Sequence, residues 1–171
     1  YIVATPKSQL KAFEQQLLDK DWEQVAPGVE VKLCAAPEGS HETFVLCRSE
    51  GRIEKEHAIR DKQVKRLEQA LDNLVEQIDA KHRTLRSRSK AERRVGRLLE
   101  RYSRAARLFE VHITEKDDSS HKSGKRLGIT IRKREEYRQW AELADGCYLL
   151  RTNLHGWNAK TLWKIYIGLT K

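Results

Sequence analysis

Five apolar residues, Val64, Leu67, Leu71, Leu74 and Ile78, recur at spacings of 3, 4, 3 and 4. That repeat lines one seam of an α-helix, and a seam of this kind has to be covered by another element. The spacing predicts a long helix capped by Ser49 and running to about Lys81. Projected backwards the seam meets Arg60, His57 and Ile53, so its first part is poorly apolar. After a break around Thr84–Ser89, a second stripe of Ala91, Val95, Leu98, Tyr102 and Ala106 predicts a helix reaching Arg107. Two apolar stripes joined by a short polar break predict an antiparallel helical hairpin.

The segments on either side read as a mixture of strands and short helices. Tyr1–Thr5 is a short apolar run, expected as a buried strand. Ser8 is a candidate N-cap for a helix to about Asp19, with Leu10, Phe13 and Leu17 on one face. Beyond Pro27-Gly28, Val29–Cys34 and Thr43–Cys47 predict a β-hairpin, with its turn at Pro37 to Ser40. Leu108–Thr114 and Arg126–Arg132 both alternate and predict a second hairpin, joined by a polar loop with Asp117, Asp118 and Gly124. Glu135–Leu143 reads as a short helix carrying Tyr137 and Trp140. Asp145-Gly146 turns into Cys147–Thr152, whose near-continuous apolar run suits the middle of a sheet. Asn158 caps a last helix, with Leu162, Ile165, Tyr166 and Leu169 facing inward. The fold class expected is mixed α+β.

Charge is placed more tellingly than its total suggests. Residues 81–107 hold eleven Lys and Arg against two Glu, a balance of +9, while elsewhere 23 bases meet 23 acids. The whole formal excess therefore lies in one segment of the chain, the footprint of a polyanion partner. Within it Lys90, Arg94, Arg97, Arg101 and Arg104 recur at 4, 3, 4 and 3 and form one stripe, expected opposite the apolar one. Arginine forks match phosphate oxygens and keep their charge at any physiological pH. Such a stripe follows a nucleic-acid backbone without reading its sequence, with a log–log salt slope of roughly −3 to −5. The competing reading is a solvated face neutralised by Glu68, Asp72, Glu76 and Asp79 of the preceding helix.

Other chemistries find little footing. The three cysteines, Cys34, Cys47 and Cys147, are scattered and lack CxxC spacing, which argues against a zinc site or disulfide framework and for a reducing, cytoplasmic setting. Cys34 and Cys47 sit on neighbouring strands, so a chance contact is open to them. The six His show no HExxH or HxxxH spacing. Ser123-Gly124-Lys125 echoes a phosphate loop, but Ser119 stands where its first Gly belongs and Arg126 where its Ser or Thr belongs. Asp117-Asp118 and Glu135-Glu136 read as turn and helix-start residues. No apolar run is long enough to span a membrane. The chain begins at Tyr1 and contains no Met, which reads as an internal piece of a longer protein.

The stretch Asp145–Lys171 resembles a DDE transposase of bacterial insertion sequences, in the group whose RNase H-like core is interrupted by an inserted subdomain. The resemblance rests on a strand ending in Arg151, Thr152 and Asn153, then a loop and a helix carrying Tyr166. In that group the helix bears Tyr-x-x-Arg-x-x-x-Glu, its Glu being the third metal-binding carboxylate. Tyr166 matches the Tyr; Leu169 departs from the Arg, and the Glu falls at position 173. The opening YIVAT is similar to the core strand that follows the second catalytic Asp. The resemblance implies residues 1–26 and 145–171 as parts of the RNase H-like core and 27–144 as the inserted subdomain. It implies no catalytic or metal-binding carboxylate within this chain, and Mg²⁺ or Mn²⁺ as cofactor of the parent enzyme. DNA at transposon ends is the implied partner, bound by a homodimer, with Tyr166 as a phosphate contact or a core aromatic. Trp157 and Trp163 read as core or boundary aromatics. A second reading is a non-catalytic module that binds a protein through the seam Val64–Ile78. A third is an RNA-binding basic coiled coil.

Overall fold

A computed structural model of the chain describes residues 1–80, 85, 87–117 and 125–170, with the backbone alone at Lys125. The fold is mixed α+β, built from antiparallel sheets, and divides into two compact units: residues 1–57 with 140–171, and residues 58–139.

The first unit is a five-stranded antiparallel sheet in the order β1-β7-β4-β3-β2. Its strands are β1 (Ile2–Ala4), β2 (Glu23–Ala26), β3 (Val29–Cys34), β4 (Thr43–Ser49) and β7 (Cys147–Thr152). β7 lies between β1 and β4, in registers Ile2↔Thr152 and Val45↔Leu150. Apolar runs in β4 and β7 serve both faces. Phe44, Leu46, Cys147 and Leu149 pack with Leu10, Phe13 and Leu17 on one side. Val45, Cys47 and Leu150 pack with Ala159 and Leu162 on the other. Lys7–Phe13 is a 3₁₀ turn that leads into α1 (Glu14–Leu18), and α6 (Ala159–Leu169) covers the opposite face.

The first turn of α2 (Glu50–Asp79) ties two tight turns together. The Glu50 N–H donates to the Gly28 carbonyl at 2.9 Å, and the Ser49 N–H to the Gly146 carbonyl at 3.2 Å. Glu56 Oε2 accepts from the Gly146 N–H at 3.0 Å and from Lys7 Nζ at 2.5 Å. Burial pushes the Glu56 carboxyl up, but these bonds and the nearby Lys7 and Arg52 charges overcome that and hold it below its ordinary value.

The second unit packs the rest of α2 with α3 (Arg88–Arg101), α4 (Ser103–Ala106) and the hairpin of β5 (Phe109–Asp117) and β6 (Lys125–Lys133). Leu67, Leu71, Leu74 and Ile78 share one core with Leu85, Ala91, Val95, Leu98, Ala105, Phe109 and Ile113. Gln63 accepts the Arg104 N–H at 3.1 Å and Gln77 lines a cleft with Lys90, so α2 and α3 run in opposite directions. α5 (Glu135–Ala144) follows β6.

Several expectations need correction. β1 is an edge strand in which only Ile2 is buried. Pro6, not Ser8, occupies the N-cap position of the 3₁₀ turn, and no side chain caps it. β2 was not foreseen. Leu169 is 70% exposed, so it does not face inward. The second helix breaks at Tyr102, whose φ of −112° and ψ of 46° leave the α region, and Ala105 takes the buried place expected of Ala106. The β3–β4 hairpin belongs to the sheet with β1 and β7, and the second compact unit starts at Ala58.

At Gly146 φ is +66°, and an added Cβ would lie 2.3 Å from Ile53 Cγ1 and 2.6 Å from the Ser49 carbonyl. Gly146→Ala is therefore expected to cost at least ~2 kcal/mol in urea unfolding. Gly39→Ala, at φ +77° in open space, serves as the comparison and should cost about half as much. Because the Glu56 carboxyl is held low when folded, its stabilisation is full above its ordinary value of 4.5 and is lost as pH falls through the folded value. Acid unfolding of Glu56→Gln should show a shallower loss of stability below pH 4.5 than the parent chain.

Candidate nucleic-acid interface

Burial of Ala91, Val95 and Leu98 fixes which side of α3 meets solvent. At 100° per residue, Lys90, Arg94, Arg97 and Arg101 centre about 100° from that buried side. The stripe thus flanks the apolar face; it does not stand opposite it. Three of its members, Lys90, Arg94 and Arg97, line a half-open cleft of about 420 Å³ together with Arg93, Gln77 and Leu85. Among the described residues no carboxylate lines it.

The acids proposed as partners for the stripe are engaged elsewhere or remain apart. Glu68 pairs with Lys133 of β6 at 2.6 Å, and Asp79 with Arg126 at 3.4 Å. Glu92 of α3 pairs with Arg88, one turn before it, at 2.7 Å. Among the described residues no ion pair reaches Lys90, Arg93, Arg94 or Arg97, and all four are exposed. The neutralised-face reading therefore fails for this part of the stripe.

Two stripe residues stand apart from the cleft. The Arg101 guanidinium lies 5.7 Å from the Tyr102 ring centre, a cation–π arrangement on its own helix. Arg104 sits on α4, beyond the break at Tyr102, so the stripe is not continuous to its expected end. Arg93 was missed because it lies off the 4-3-4-3 repeat; the signal available was its i+4 neighbour Arg97 on the same helix.

Tyr166 belongs to the first unit. Its ring packs 6.5 Å from that of Tyr148, whose hydroxyl accepts from Trp163 Nε1 at 2.9 Å. Trp163 is thus a boundary aromatic, whereas Trp157 is 46% exposed. Of the motif before α6, Thr152 is fully buried, donates to the Tyr1 carbonyl at 2.5 Å and accepts from the Leu154 N–H at 3.1 Å. Arg151 pairs with Glu42 at 3.6 Å. Asn158 caps α6 by accepting the Thr161 N–H at 2.8 Å.

Among the described residues no three His, Cys, Asp or Glu side chains gather as a metal site would require. Asp118 and the Ser123-Gly124 pair lie outside the described residues. All three cysteines are free, Cys34 facing Phe44 and Cys47 facing Val31 across the hairpin. Burial pushes the Cys34 and Cys147 thiols to about 11 and raises Cys47 further, so none is a thiolate nucleophile at neutral pH. No described helix is long and apolar enough to cross a membrane. Alkylation by iodoacetamide at pH 8 should be at least tenfold slower for the folded chain than for the same chain in urea, since a pKa raised to about 11 leaves little thiolate.

No family model matches the chain, and no curated protein or solved structure matches it either.

Proposed function

We propose that the chain is part of a DDE transposase and that α3 holds the DNA backbone. The observation that carries the DNA contact is a cleft that, among the described residues, holds four exposed cations with no ion-pair partner and no carboxylate. Guanidinium forks in that arrangement bind phosphate oxygens in pairs and release condensed counterions, which gives affinity without sequence preference.

The transposase reading draws support from the sheet. β1 and β7, the two strands that resemble the family's core, are hydrogen-bonded neighbours although about 150 residues separate them, and residues 58–139 form a unit of their own between them. That layout suits a nuclease core interrupted by an insertion. The carboxylates, and the Mg²⁺ or Mn²⁺ they bind for phosphoryl transfer, belong in this reading to a longer protein. The protein-binding alternative through the seam Val64–Ile78 loses its surface, because Leu67, Leu71, Leu74 and Ile78 are at most 6% exposed within their own unit.

Charge reversal of Arg94, Arg97 and Arg101 to Glu should weaken duplex DNA binding at least 100-fold at low salt and flatten its salt dependence. Retained affinity at low salt, with the helical circular dichroism unchanged, would remove the basic-helix assignment. Competition between duplex DNA and RNA of one length distinguishes the two nucleic acids; tighter RNA binding would turn the reading to an RNA-binding module.

A further inference from the structure

Beside its cations this cleft carries an amide, which offers an acceptor as well as a donor, and an apolar side chain. Gln77 is half-buried beside Lys90, Arg93, Arg94 and Arg97. Its carboxamide forms no hydrogen bond among the described residues. The other glutamines on this helix are placed differently: Gln63 accepts the Arg104 N–H and Gln69 donates to Asn73 Oδ1 at 3.4 Å. Leu85, 7% exposed, supplies apolar contact at the same place.

The geometry points to a cleft that seats a phosphodiester among its four cations and reads the adjoining base through Gln77, favouring adenine. This rests on the nucleic-acid reading above and adds a sequence preference to it. Phosphate oxygens accept from cations and from an amide N–H, but they leave the carboxamide oxygen without a donor. A carboxamide carries a donor and an acceptor side by side, the complement of adenine N7 and N6. Gln77 would therefore be a specificity residue, and Arg93, off the main stripe, a backbone contact.

Binding of A·T-rich and G·C-rich duplexes of equal length, across a range of salt, tests this. The parent chain should prefer the A·T-rich duplex by roughly five- to tenfold. Gln77→Ala should abolish that preference and leave the salt slope unchanged. Gln77→Asn, which keeps the amide but shortens its reach, should do the same should alanine disturb the helix. Arg93→Ala should weaken both duplexes alike and reduce the slope by about 1, with the preference intact. A parent chain indifferent to base composition overturns the proposal, as does a preference that survives Gln77→Ala. So does a guanine preference lost with Arg93→Ala. Each of those outcomes leaves DNA binding by α3 standing, whereas full affinity after charge reversal of the helix removes the underlying reading itself.

Discussion

The seam of α2 has to be buried, and the rest of the second unit is arranged around that requirement. Leu67, Leu71, Leu74 and Ile78 are at most 6% exposed. At about 1.5–3 kcal/mol each, their burial contributes roughly 6–12 kcal/mol before chain entropy is charged against it, and that is an upper bound. A contribution of that size rivals the net stability of a whole domain. It obliges α3 to present Ala91, Val95 and Leu98 inward, and β5 and β6 to close the remaining side with Phe109 and Ile113. Once that face is committed, the cations of α3 can only point to solvent or along the cleft beside α2. The basic surface therefore follows from core packing, and the sequence needed only to fill those positions with Lys and Arg.

Filling them so has a cost. Lys90–Arg93, Lys90–Arg94, Arg93–Arg97, Arg94–Arg97 and Arg97–Arg101 are like-charge pairs at i,i+3 or i,i+4. At a few tenths of a kcal/mol each they destabilise α3 by roughly 1–2 kcal/mol at low salt. Acids on α2 could have offset this, but Glu68 and Asp79 go to β6, and Glu92 goes to Arg88. A helix selected for stability alone would alternate its charges. The uncompensated repulsion makes sense where a polyanion supplies the missing negative charge, because binding then relieves strain that the free helix carries.

How much of this was legible beforehand depended on whether the signal was local. The α2 seam, the strand at Thr43–Cys47, the near-continuous apolar strand Cys147–Thr152 and the Asn158 cap were read correctly, since periodicity and capping are properties of neighbouring residues. β2 escaped because Glu23 and Gln24 are exposed on a sheet edge and show no alternation. The clue was the turn beside it: Pro27-Gly28 between paired Ala26 and Val29, with Gly28 at φ +66°. The break at Tyr102 and the detachment of Arg104 were invisible, because nothing in the repeat marks where tertiary packing ends a helix. Whether the stripe was neutralised was equally out of reach, since that depended on β6 drawing away the acids of α2 from across the unit.

The excursion of the chain between β4 and β7 starts and ends within the first unit. α2 begins directly after β4 and α5 ends directly before β7, and these strands pair with Arg48 opposite Cys147. The chain thus leaves and re-enters the sheet at adjacent rungs of one ladder. Closing a long excursion between fixed, neighbouring points adds entropy that grows only with the logarithm of its length, ~0.6 kcal/mol per doubling. The local bonds that hold this junction are short-range and independent of what lies beyond: Ser49 N–H to Gly146, Glu50 N–H to Gly28, and Glu56 to both Gly146 and Lys7. The sheet can keep its register while the excursion carries its own core, and a basic helix can be added there without placing a single charge in the sheet's interior.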